Sequence, residues 1–161
     1  MMAELKELCI QVGLSNVITY IQSGNVIFES NSLPKSIAGQ LKKAIADTFE
    51  YDVPVLVISL VELIQTRTFN PYLNEPEVKQ LYYTFLDAIP EEILIKSIES
   101  IRVVPEAFSI VNSTVYINYI NYFKGYRSTK LTNDIVEKKL KVAATSRNAK
   151  TVDKLIEPAS T

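Results

Sequence analysis

The chain has 161 residues and a mass of 18.1 kDa, with 47% hydrophobic and 22% charged residues. That is apolar material for one compact domain or two very small ones, and it excludes a disordered or collagen-like chain. The formal net charge is −1, His is absent and Cys occurs once, which excludes Ser-His-Asp triads, Cys-His dyads, zinc fingers, a disulfide framework and a basic nucleic-acid coat.

In chain order, Ala3–Val12 comes first, with Leu5, Leu8, Cys9 and Val12 at helical spacing and Gly13 placed as the stop. Cys9 lies mid-helix among apolar residues and reads as a reduced, buried thiol. Val17–Ile21 and Val26–Glu29 are rich in β-branched and aromatic residues, and Ser23-Gly24-Asn25 between them reads as a hairpin turn. Pro34 opens a long helix to about Phe49, with Ile37, Leu41, Ala44, Ile45 and Thr48 on one face. Pro54–Ser59 is a continuous apolar run, the pattern of a strand buried on both faces. A short helix follows from Leu60 to about Thr66, and Asn70-Pro71 and Glu75-Pro76 punctuate a turn-rich link.

The second half repeats the plan. Gln80–Leu86 reads as a strand, Pro90 opens a helix to about Ser100, and Phe108–Val111 and Thr114–Tyr119 form a hairpin around Asn112-Ser113. A polar, aromatic loop runs from Asn121 to Lys130. Thr132 caps a helix through Leu140, and Thr145 or Ser146 caps a last helix with Val152, Leu155 and Ile156 inward and Pro158 at its end. The order is α-β-β-α-β, then β-α-β-β-α-α.

That order makes an α+β protein of two tandem ferredoxin-like units of the βαββαβ type, residues 1–76 and 77–161. The first unit begins with its helix and lacks its N-terminal strand. Such a strand belongs in the interior of its sheet, so its neighbours must close up, or the gap must be filled, or a strand must be borrowed from the other half or another chain. Self-association through the incomplete N-terminal sheet is one expectation.

The N-terminus Met1-Met2-Ala3-Glu4-Leu5-Lys6-Glu7 has no basic stretch ahead of an apolar core, so it is not a signal peptide. Apolar runs such as Val53–Ile58 are far too short to span a bilayer. With a single Cys, the expected location is cytoplasmic, with no membrane partner.

Three separated strings resemble one family. They are Thr19-Tyr20-Ile21-Gln22-Ser23-Gly24-Asn25-Val26-Ile27-Phe28, then Lys130-Leu131-Thr132-Asn133, then Ala144-Thr145-Ser146-Arg147-Asn148 followed by Lys150-Thr151-Val152. Met2-Ala3-Glu4-Leu5-Lys6-Glu7-Leu8 resembles the start of its first helix. The family is an uncharacterised, mainly bacterial one, the domain of unknown function family sixteen ninety-seven. The resemblance implies a tandem pair of ferredoxin-like units. It also implies an N-terminal strand and a glycine-rich loop of the form LLRGINVGG, which this sequence lacks, so it reads as started at a downstream Met or truncated. The family carries an aromatic residue where Ala149 stands, and 121–129 departs from its usual loop. No reaction comes with the resemblance.

Charge is lopsided. Residues 1–123 hold 8 Lys+Arg against 14 Asp+Glu, and residues 124–161 hold 9 against 4, so the two parts carry −6 and +5. Two expected helix N-termini fall in the basic part, where free N–H groups suit an anion. The candidate anion site is Lys130, Thr132, Asn133, Ser146, Arg147 and Asn148, set against the plainer reading that Thr and Ser cap while the basic residues solvate helix faces. A second candidate is a cleft at Gln22, Ser23 and Asn25, set against an ordinary hairpin turn. Tyr116, Tyr119, Tyr122, Phe123 and Tyr126, interleaved with Lys124 and Arg127, suit single-stranded nucleic acid, yet no RNP-type string is present. No metal-ligand spacing, P-loop or dinucleotide fingerprint occurs, and no cofactor is expected. Catalytic residues are not identifiable. The leading expectation is a small protein binding an anionic ligand or a protein partner. The alternatives are an enzyme acting on a phosphorylated or anionic metabolite without His or Cys chemistry, and a single-stranded nucleic-acid-binding module.

Overall fold

The computed structural model describes residues 2–20, 24–74, 81–100, 107–118 and 131–159. The elements in chain order are α1 (Met2–Gln11), β1 (Ser15–Tyr20), β2 (Asn25–Glu29), α2 (Pro34–Phe49), α3 (Leu60–Thr68) and β3 (Leu81–Leu86). They continue with α4 (Glu92–Glu99), β4 (Ala107–Val111), β5 (Thr114–Asn118), α5 (Asn133–Leu140), β6 (Ala144–Asn148) and α6 (Ala149–Ala159). This is a mixed helix-and-strand protein with small antiparallel sheets. The chain forms two compact units. Met1–Glu62 with Leu155–Thr161 make unit 1, and Leu63–Lys154 make unit 2.

In unit 1, α1 stops where the sequence places a stop. Gly13 adopts φ +93° and its N–H donates to the Ile10 carbonyl at 3.0 Å, while the Leu14 N–H donates to the Cys9 carbonyl at 3.1 Å. This pair of bonds is the Schellman closure, and the accompanying apolar contact is present because Leu14 and Cys9 share one core cluster. The turn aims the chain into β1, which pairs antiparallel with β2 (Ile18 with Ile27, Thr19 with Val26). Gly24, at φ +74°, closes the turn from the β2 side. Pro34 starts α2 as expected, and Glu50 in the left-handed region ends it. The core of this unit is Cys9, Leu14, Val17, Ile37 and Leu41, with Val26, Phe28, Val55 and Val57 packed against it.

Unit 2 has the order β-α-β-β-α-β followed by α6, and its sheet order is β4-β5-β3-β6 with every neighbouring pair antiparallel. β3 lies inside the sheet and is buried on both faces. Tyr82, Thr84 and Leu86 alternate with Leu81, Tyr83 and Phe85. Leu86 joins Ile98, Leu131, Val136, Leu140 and Ala144 in the main cluster, so one face of the sheet lies against α4 and α5. On the opposite face the Tyr83 and Phe85 rings stack with centroids 6.1 Å apart. Each fully buried aliphatic side chain here contributes on the order of 1.5–3 kcal/mol.

Two sequence expectations need correction. Pro54–Ser59 forms no strand; Val55–Val57 are half-buried against the unit 1 core, but no strand among the described residues offers them a ladder. Apolarity recruits the segment to the core, but only a neighbour's backbone makes it a strand. Likewise, Thr145 and Ser146 cap no helix. They lie in β6, whose pairing with β3 runs from Leu86–Ala144 to Tyr82–Asn148. The last helix is capped by Asn148, whose Oδ1 accepts from the Thr151 N–H at 2.8 Å. Pro158 sits inside the end of that helix. Among the described residues no helix is long and apolar enough to cross a membrane.

Candidate functional site

The candidate anion residues of unit 2 fall on two sides of one sheet. Thr132 is the N-cap of α5, its hydroxyl accepting from the Ile135 N–H at 3.4 Å. Asn133 opens the same helix, and its Oδ1 accepts from the Ser146 hydroxyl at 2.6 Å. The Ser146 oxygen lies 2.6 Å from the hydroxyl of Thr84, which is fully buried. Since Ser146 has one proton and gives it to Asn133, Thr84 must be the donor to Ser146. A relay Thr84–Ser146–Asn133 therefore ties β3, β6 and the start of α5 together.

Arg147 is the next residue, so the strand turns it to the other face. Its Nη1 donates to the Thr145 hydroxyl at 2.8 Å and to the Ser146 carbonyl at 2.8 Å. Its register partner is Tyr83. Burial lowers the Arg147 pKa from its ordinary value, although a guanidinium stays charged in a protein. The fold thus brings Thr132, Asn133 and Ser146 together and sets Arg147 apart from them. Asn148 serves as the α6 cap. Lys130, Gln22 and Ser23 lie outside the described residues, as do Tyr119, Tyr122, Phe123, Lys124, Tyr126 and Arg127 of the aromatic loop. Asn25 is buried at the start of β2. Lys138, Lys139, Lys141, Lys150 and Lys154 are all exposed.

A group on the Tyr83 face escaped sequence reasoning. Burial raises the Tyr83 phenol above its ordinary value; the neighbouring Asn70 side chain opposes this, Asp153 reinforces it and Arg67 opposes it. Arg67 donates to Asp153 in an ion pair joining α3 to α6 within unit 2. In sequence Asn70 is legible only as turn punctuation, and its Oδ1 does accept from the Tyr72 N–H at 2.9 Å. In unit 1 an open groove of about 640 Å³ runs along α1 and β1, where Lys6, Ile10, Ile18, Glu29 and Pro158 line it. Among the described residues no cluster of three or more Cys, Asp or Glu could hold a metal ion.

The other distinctive feature of unit 1 is backbone. Its sheet has two strands, so β2 is paired along one edge and carries no ladder along the other among the described residues. Val26 and Phe28 of β2 and Val55 and Val57 of the 54–59 segment pack on the same core. Strand edges with unpaired N–H and C=O groups are templates for another strand.

No curated protein matches the chain. Among solved structures, a conserved bacterial protein from Streptococcus pneumoniae, SP0830, superposes with a TM-score of 0.72 at 20% identity, over 98% of this chain and 87% of that one. The similarity is one of fold. A family model described as "Protein of unknown function (DUF1697)" matches residues 1–116. With most of its length matched, from α1 into β5, the chain belongs to that family.

Proposed function

We propose that the chain is a protein-binding module of two tandem ferredoxin-like units, read in sequence as 1–76 and 77–161, and that the first recognises its partner by accepting an extended strand at the open edge of β2. The order β-α-β-β-α-β and the sheet order β4-β5-β3-β6 support the ferredoxin-like reading for unit 2. In unit 1, α1-β1-β2-α2 and then the 54–59 segment repeat the sequence α4-β4-β5-α5-β6, with nothing among the described residues in the place of β3. The observation that carries the reading is the open β2 edge along Val26–Phe28, over a core that already holds Val26 and Phe28. Strand addition takes its affinity from main-chain hydrogen bonds and its specificity from alternate side chains.

The test is amide hydrogen exchange of the whole chain with and without a probe peptide of six apolar β-forming residues flanked by lysines. Slowed exchange at Val26–Phe28 is expected, and it should vanish when alternate peptide nitrogens are methylated. Unchanged exchange at β2 across apolar probes overturns the reading.

A further inference from the structure

We infer that the groove along α1 and β1 is a contact between two copies of this chain, related by a two-fold axis that lays the helix side of one groove on the sheet side of the other. The groove is separate from the open edge of β2, and the inference does not depend on that edge.

Each side of the groove offers one apolar residue and one charge. On α1, Lys6 and Ile10 stand four residues apart, on one helical face. From the sheet come Ile18 of β1 and Glu29 of β2. Ile10 is 47% exposed and Ile18 46%, so two large apolar side chains share one open concave surface. Lys6 is exposed and makes no ion pair or hydrogen bond among the described residues. The Glu29 carboxylate meets a neutral group, its Oε2 accepting from the Asn16 side-chain amide at 2.8 Å. A cation and a carboxylate thus line one groove without pairing with each other.

Such a surface is complementary to itself. A two-fold rotation sets Lys6 against the partner's Glu29 and Ile10 against the partner's Ile18, and it makes each contact twice. A partner of one charge sign would suit one side and be repelled by the other, whereas a second copy suits both. The contact is made by side chains and not by a ladder. The register of β1 shifts between Ser15 and Ile18, and Asn16 takes φ +50°. This bulge falls in the stretch of β1 that lines the groove, and a bulged edge is a poor template for another strand. The lining falls well short of the roughly 20–30 residues a side of a standard interface, so the dimer is weak.

The experiment is sedimentation equilibrium of the whole chain up to millimolar concentration, with methyl NMR of Ile10 and Ile18 over the same series. A concentration-dependent dimer is expected, with both methyl signals shifting together. Lys6→Glu and Glu29→Lys should each weaken association about tenfold, because each sets like charges together at both symmetric contacts. An equimolar mixture of the two variants should regain the dimer, since both contacts are then Lys–Glu pairs again, and misfolded chains could not produce that recovery. The double variant should regain it too. A chain that stays monomeric at millimolar concentration overturns the inference. So does a dimer whose shifts centre on Val26–Phe28, which would place the second copy at the β2 edge. Single variants that associate as the parent does, or a mixture no stronger than either variant, overturn the two-fold pairing.

Discussion

Gly13 is where a single backbone angle decides the course of unit 1. Its φ of +93° is outside the range that side chains with a Cβ adopt easily, and a Cβ built there meets nothing within 4 Å. The demand is therefore conformational and not steric. Gly13→Ala should cost about 1–2 kcal/mol through the backbone alone, read as a lower urea midpoint for unit 1. Gly13→Asn should cost less, because Asn tolerates left-handed backbone better. Equal stability of all three proteins would mean that the closure at Gly13 does not set the turn from α1 into β1. Residues of this kind were legible in the sequence: a glycine one step past an apolar helical stripe has a local reason to be there. The same locality made Pro34 and Thr132 readable, since a first-turn proline and a side-chain cap act within a few residues of themselves.

At the level of elements, what was illegible is what depends on a distant neighbour. Ala144–Asn148 carries Thr145, Ser146 and Arg147, a string as suited to a helix start as to a strand, and pairing with β3 settles the matter. The 54–59 run shows the converse, an apolar pattern fit for a strand with no ladder beside it. The candidate site suffered from the same ambiguity. Read as a helix start, Ser146 and Arg147 point toward one anion; in a strand they face opposite ways, and Ser146 is engaged with Thr84 and Asn133. That relay is testable by a double-mutant cycle. Ser146→Ala leaves the buried Thr84 hydroxyl without its Ser146 acceptor, for a cost of about 1–3 kcal/mol. Thr84→Val alone should cost about 0.5–1.5 kcal/mol, the net worth of one hydrogen bond. The double variant should be less destabilised than the two single costs combined, because no hydroxyl is then left buried in place of the pair. Strict additivity in urea denaturation would show that Thr84 and Ser146 do not act on each other.

For the whole molecule, the two units differ in how completely each closes its own sheet. Among the described residues unit 2 has four strands with β3 buried on both faces, and Leu81, Tyr83, Ile98, Leu131, Val136 and Leu140 are all at most 1% exposed. Among the described residues unit 1 has a two-stranded sheet, and of Cys9, Leu14, Val17, Ile37 and Leu41 only Cys9 is that deeply buried. Two strands are marginal without further packing, and here that packing comes from α1 and α2. Unit 1 should therefore open at lower denaturant than unit 2, and the chain should depart from two-state unfolding. Cys9 reports the first event. It is 1% exposed, and burial raises its thiol pKa, so both access and thiolate supply are suppressed while unit 1 is closed. Labelling of Cys9 by a thiol reagent across a urea series should rise before amide exchange accelerates at Leu81–Leu86. An apolar strand peptide that occupies unit 1 should delay the first event by the linkage between binding and folding while leaving the second where it was. Coincident transitions, with and without the peptide, would mean that the sheet of unit 1 is as well secured as that of unit 2, and that the open edge of β2 costs the fold nothing.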